Sequence, residues 1–199
     1  MHHLLDAQSR LQSEANEVVR ELGLNELLKE VGYPTRVGSS AMGLMVRRDI
    51  DITVACDSLD DATVSAFAGI GARLMRRRDC VRSVVFRNET RDWNKQPERY
   101  PDGLYLWLSV SMGDGNEWTV DIWLVDKPEM QLDLSHLKTL APRLCDVNRG
   151  VILEIKYFLR EGGQCMSKIP SVLVYEAVMD HGVRSFDEFK RWYRINRSW

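Results

Sequence analysis

From Leu4 to Val31 the apolar residues Leu4, Leu5, Leu11, Val18, Val19, Leu22, Leu27 and Leu28 recur at helical spacing with charged residues between them. That pattern predicts one long amphipathic helix, or two broken near Gly23. Tyr33-Pro34 ends it, because proline disfavours helical conformation in the residue before it. Thr35-Arg36-Val37 reads as a short strand running into Gly38-Ser39-Ser40, and residues 41–47 as a helical turn. Asp49 to Cys56 alternates polar and apolar residues, the period of a half-buried strand. Leu59 to Arg78 returns to helical spacing. Val81–Asn88, Gly103–Met112 and Trp118–Val125 follow as strands, the last two joined by the turn sequence Gly113-Asp114-Gly115-Asn116. Glu89 to Asp102, polar and carrying Trp93, Pro97 and Pro101, reads as a loop. Beyond Leu134 the pattern is helical over 134–140, 146–161, 170–180 and 185–195, with Gly162-Gly163 closing the second of these.

The order of elements predicts an α+β chain: a helix, a mixed sheet with one long helix, then a helical region. The expected boundary lies near residue 133, giving a sheet-bearing part over 1–133 and a helical part over 134–199. With 44% hydrophobic and 28% charged residues the composition is that of a soluble globular protein. A net charge of −2 and a pI near 6.1 lack the Lys and Arg excess of a sequence-independent nucleic-acid binder, so no extended DNA-binding surface is expected. Cys56, Cys80, Cys145 and Cys165 are widely spaced without a CxxC pair, which argues against a zinc site or disulfide framework. No apolar run approaches a membrane span and no signal peptide is evident, so the expected compartment is the cytoplasm.

The chemistry concentrates between Val37 and Ile52. In a strand, Asp49 and Asp51 project from one face while Ile50 and Ile52 turn into the core. Two carboxylates so close repel, and their uncompensated burial is costly. A divalent cation resolves the conflict, and oxygen-only ligation suits Mg²⁺, which also binds substrate phosphates. Upstream, Gly38 lets the backbone approach a phosphate, whose oxygens can accept hydrogen bonds from the amides and from Ser39. Taken alone, Gly38-Ser39 would read as a helix cap. A solvated edge strand would account for the two acids, but not for the Gly-Ser loop at this distance. A third acid is expected on a neighbouring strand, since two-metal chemistry draws ligands from several directions. Asp121, the one charged residue in Trp118–Val125, supplies it. Pairing with an arginine is its alternative role.

An apolar residue with Gly-Ser, nine intervening residues, Asp-apolar-Asp-apolar and a later strand Asp together resemble the signature of the DNA polymerase β-type nucleotidyltransferases. The resemblance implies a palm-like mixed sheet packed on helices and two Mg²⁺ ions, with Mn²⁺ as the alternative. It also implies transfer of a nucleoside monophosphate, AMP from ATP being the expected case, to an acceptor hydroxyl with release of pyrophosphate. By motif position Gly38 and Ser39 would hold phosphate and Asp49 and Asp51 would bind both metals. Asp121 would bind the catalytic metal and take the proton of the attacking hydroxyl. The helical tail resembles family members with a helical domain after the sheet. On its second helix Arg149 and Lys156 would share a face, and the resemblance implies that Lys156 contacts the triphosphate.

The acceptor is open among a small molecule, a protein and an RNA. A catalytically silent nucleotide-binding or toxin-neutralising module on the same fold is the alternative, with the N-terminal helix as its interaction surface. Arg76, Arg77 and Arg78 read as a helix end complementing its dipole. Arg47-Arg48 either steer a triphosphate or offset the acids. Of Trp93, Trp107, Trp118 and Trp123, most are expected in the core, with Trp123, which shares Asp121's face, the best substrate contact. His136 and His181 read as surface or cap histidines.

Overall fold

The computed structural model describes all residues except Met1, Arg99, Asp114, Gln164, Cys165 and 197–199, and the side chains of His2 and Ser167 are also left out. The expected turn residue Asp114 and the cysteine Cys165 therefore lie outside the described residues. The N-terminal segment forms two helices, α1 (His2–Glu21) and α2 (Leu24–Lys29). They are separated by Gly23, whose φ of +61° is a left-handed conformation that ends a helix cheaply only at glycine. Then come β1 (Tyr33–Val37), α3 (Gly38–Met42), β2 (Asp49–Ala55), α4 (Asp61–Met75), β3 (Val81–Glu89), β4 (Gly103–Ser111) and β5 (Glu117–Val125). The C-terminal helices are α5 (Leu132–Thr139), α6 (Asp146–Glu161), α7 (Ser171–Met179) and α8 (Phe186–Asn196). Helix α4 starts later than its apolar pattern because Asp60 caps it, its carboxylate accepting from the Thr63 amide at 2.8 Å.

The five strands form one mixed sheet in the order β1-β2-β5-β4-β3. The β2 and β5 strands run parallel and the other neighbours antiparallel. Alternation along each strand sorts side chains to two faces. Ile50, Ile52, Val54, Leu104, Leu106, Leu108, Trp118, Val120, Ile122 and Leu124 share one buried cluster with residues of α1, α2 and α4. Three helices therefore cover that face, and the opposite face carries Asp49, Asp51 and Asp121. Arg76–Arg78 follow α4 on the covered side. There Arg77 bonds Asp79 and, at 2.8 Å, the Glu21 carbonyl, a structural tether.

A second buried cluster is built by Leu140, Ile152, Ile155, Val174, Tyr175, Ala177, Val178 and Phe189 of the C-terminal region, joined by Met42 and Leu44 from the segment after α3. The long N-terminal helix spends its apolar face internally, with Ala15 and Val18, and Leu22 just past its end, in the first core. Its polar residues tie down the segment before β2: Gln12 donates to the Ser40 carbonyl at 2.8 Å and Glu14 accepts from Arg48 at 3.1 Å. The apolar face of α1 is thus spent within the fold. Among the described residues no helix is long and apolar enough to cross a membrane.

Candidate active site

Parallel pairing of β2 with β5 sets Asp51 directly beside Asp121 and Asp49 beside Thr119. Carboxylate oxygens of Asp49, Asp51 and Asp121 all lie within 4.8 Å of one another. At that spacing two like charges repel by on the order of 3 kcal/mol even at an effective dielectric constant near 20. Three such pairs cannot remain fully charged without compensation, and the surroundings compensate them unequally. Asp49, 8% exposed, accepts from Arg47 at 2.7 and 3.0 Å and from the Thr119 hydroxyl. Asp121 accepts from the Tyr105 hydroxyl. Asp51 has no hydrogen-bond donor among the described residues. Burial, reinforced by Asp49, Asp121 and Asp133, pushes its carboxyl up to about 7 against the pull of Arg47. Burial also raises Asp121, with the Tyr105 bond opposing and Asp49 adding to the rise.

Gly38 explains how the loop and the strand meet. Its φ is +64°, and a Cβ there would lie 2.3 Å from Asp51 Oδ2. The backbone of the Gly-Ser loop thus rests directly against the uncompensated carboxylate, a fit only glycine permits. Ser39, Asp49 and Asp51 line a cavity of about 290 Å³ whose far wall is Lys156, Arg160, Ser171 and Tyr175 from α6 and α7. Asp133 and His136 of α5 close one side of it.

Helix α6 grips the segment between loop and strand by its backbone. Arg149 donates to the Met42 carbonyl, Lys156 to Leu44 at 2.7 Å and Arg160 to Val46 at 2.5 Å. Lys156 also donates to the Tyr175 hydroxyl at 3.3 Å. Burial pulls its ammonium down to about 7, with Arg47 adding to the fall and Asp51 and Asp49 opposing it. Arg149 and Lys156 do share a helix face, yet only Lys156 reaches the cavity. Its helical partner there is Arg160, one turn on, which the sequence reading missed.

The structure corrects other assignments. Of the four sheet-region tryptophans only Trp118 is fully buried, at 1% exposure, while Trp93 is 66% exposed. Trp107 and Trp123 have the parity of Asp121 and stand on the site face, which α1, α2 and α4 leave open. Arg47 offsets Asp49, whereas Arg48 turns away to Glu14. His136 lines the cavity rather than the surface. Tyr105 and Thr119, the hydroxyl donors to the acids, carry no signal in the sequence alone. Only the strand register, Tyr105 opposite Trp123 and Thr119 opposite Asp49, reveals them.

No family model matches the chain, and no curated protein matches it. Among solved structures a cytoplasmic RNA terminal U-transferase is similar, at 15% identity and a TM-score of 0.46, over 80% of this chain and 47% of that one. The chain therefore spans under half the length of that structure.

Proposed function

We propose that the protein is a divalent-metal-dependent nucleotidyltransferase that moves a nucleoside monophosphate, AMP from ATP, to an acceptor hydroxyl. The observation that carries the reading is the meeting of three carboxylates from two parallel strands with a glycine loop pressed on the middle one. The donor set fits a hard cation: oxygens only, from Asp49, Asp51 and Asp121, with Asp51 lacking any donor. Mg²⁺ is the expected ion and Mn²⁺ its substitute. When bound, such ions neutralise the acids and withdraw charge from the phosphates. In this reading residues 1–133 form the catalytic part and 134–199 the helical part that closes the nucleotide cavity.

The residues divide the remaining work. Gly38 and Ser39 offer backbone and hydroxyl donors to phosphate oxygens from one wall, Lys156 and Arg160 offer positive charge from the other. Arg47 and Thr119 fix the orientation of Asp49. Tyr105 occupies Oδ1 of Asp121, leaving its second oxygen to accept the proton of the attacking hydroxyl. Positioning and electrostatics, rather than covalent catalysis, then supply most of the rate.

The test is retention of α-labelled ATP on filters with Mg²⁺ and with EDTA. Metal-dependent retention, weakened by Ser39→Ala, is expected; equal retention in EDTA contradicts the reading. Tyr105→Phe keeps the ring between Arg87, at 4.2 Å, and Trp123, at 4.9 Å, and removes only the hydroxyl. It should lower Mn²⁺ affinity or transfer by about 10–100-fold, the usual effect of deleting a group that orients a metal ligand, with the melting temperature little changed. Titration of Mn²⁺ by electron paramagnetic resonance checks it.

A further inference from the structure

On the sheet face away from the acids, a cleft beside the outermost strand carries an uncompensated charge. Arg36 pairs with Ile52 across β1 and β2, whereas the next residue, Val37, pairs with Asp51. Cross-strand partners share a face, so Arg36 stands with Ile52 on the side that α1, α2 and α4 cover. There Val19 and Ile52 supply the apolar part of a cavity of about 470 Å³, and Arg20, Arg36 and Glu26 bring charges to it.

Arg36 is the group left unsatisfied. Its Nη1 donates to Asn16 Oδ1 at 2.5 Å, but Nε and Nη2 are shielded from water with no acceptor among the described residues. Those two nitrogens form one edge of the planar guanidinium, the fork that a carboxylate or phosphate engages with two parallel hydrogen bonds. Burial pulls the group below the usual arginine range, yet an arginine stays charged. A half-buried charge without a counter-ion is costly.

The neighbouring charges do not supply one. Glu26 is turned to Lys29 at 2.9 Å and is 78% exposed. Arg20 reaches Glu21 only at 3.8 Å, with both side chains more than half exposed, a contact worth little. The cleft therefore presents two guanidinium groups against one carboxylate that is engaged elsewhere. Asn16, on the same wall, accepts through its oxygen and keeps its amide nitrogen as a donor.

We propose that this cleft is a second anion site, binding a small molecule that carries a doubly charged phosphate group. The phosphate lies between Arg36 and Arg20 with the Asn16 amide as a further donor, and the rest of the molecule packs on Val19 and Ile52. The volume suits one such ligand. Engaging the shielded fork takes a rotation of the Arg36 side chain into the cavity. A singly charged carboxylate would leave one guanidinium unmatched. Only Val37 separates Arg36 from Gly38, so the ligand sits behind the strand that delivers the Gly-Ser loop. The site needs no metal and stands independently of the nucleotidyltransferase reading.

The test is titration of the ¹⁵N-labelled protein in EDTA with inorganic phosphate, acetate and sodium chloride at matched ionic strength. The Arg36 Nε–H resonance is identified by its loss in Arg36→Gln. Phosphate should shift it saturably, acetate more weakly and chloride not at all, and Arg160→Gln, altered in the nucleotide cavity, should respond as the wild type does. Phosphate should also raise the melting temperature. The apparent Kd from that rise should be about 10–100-fold weaker in Arg36→Gln, the scale of a lost charge-assisted hydrogen bond. In Arg20→Gln, where the changed side chain is exposed and the fold undisturbed, it should be about 2–5-fold weaker. Binding unchanged in both variants, acetate binding as tightly as phosphate, or a response that chloride reproduces would overturn the assignment. Metal-dependent retention of ATP is a separate readout, and its absence would overturn the nucleotidyltransferase reading while leaving this site standing.

Discussion

Asp51→Asn should abolish nucleotidyl transfer and, in EDTA, make the protein more stable above neutral pH. The two effects share a cause. Asp51 is buried beside two other carboxylates with no donor of its own, so its carboxyl rises from 3.8 to about 7. In the unfolded chain it titrates near 4. Between those values the folded state holds the proton and the unfolded state has released it, so stability falls as pH rises through that window. The penalty is absent below about pH 4 and complete above about pH 7. A rise of about three pH units corresponds to roughly 4 kcal/mol at most. Asparagine cannot ionise and escapes the penalty. Urea denaturation in EDTA should therefore show little difference between variant and wild type at pH 4.5 and a gain of a few kcal/mol for the variant at pH 8. Adding Mg²⁺ at pH 8 should stabilise the wild type alone and close the gap. Transfer should fall at least about 10²–10³-fold, as when a charge-stabilising group is removed from a reacting centre. An unchanged gap between pH 4.5 and 8 would show that Asp51 is not strained in the metal-free fold.

Gly38→Ala should be nearly as damaging to transfer, through the same carboxylate. Its Cβ would meet Asp51 Oδ2 at 2.3 Å and Cγ at 2.9 Å, and φ is +64°. The left-handed backbone costs roughly 1–2 kcal/mol for any L side chain, and the contact adds displacement of Asp51 from the other acids. Gly23 provides the control, because its φ is +61° but nothing lies within 4 Å of a Cβ there. Gly23→Ala should show the backbone cost alone. Combining Gly38→Ala with Asp51→Ala should remove the steric part, so the double mutant should be more stable than the sum of the single changes predicts. Denaturation of the four members of that cycle measures the coupling. Strict additivity would mean that loop and carboxylate do not touch.

Much of this arrangement was legible in the chain because it depends on local periodicity. The alternation of Asp49 to Cys56 placed both acids on one face, and the lone charge of Trp118–Val125 marked Asp121. The strands were found to within a residue or two at each end, because apolar residues recur along them and the turn between β4 and β5 carries Gly and Asn. What escaped is what depends on pairing between distant segments. Tyr105 and Thr119 serve the acids only because of their register, and Arg160 and Ser171 reach the cavity only because α6 and α7 fold back over α3. The tryptophans were misjudged for a related reason. Size suggested core for most of them, but among the four only Trp118 is fully buried, and parity sends it inward and Trp123 outward on the same strand. Asp133 and His136 gave no signal, since a short helix with little amphipathic contrast does not announce which side will face a cavity.

The central claim is that the three acids hold divalent metal against a triphosphate. It is tested most directly by thermal unfolding of the wild type and of Asp51→Asn with each of the four nucleoside triphosphates, with Mg²⁺ and with EDTA. A ligand at about 100 times its dissociation constant adds roughly 2.7 kcal/mol to stability, enough to move the midpoint by several degrees. The account predicts a Mg²⁺-dependent rise with ATP in the wild type and none in the variant. A cooperative transition that no nucleotide shifts, or a shift of equal size in EDTA or in Asp51→Asn, would contradict it.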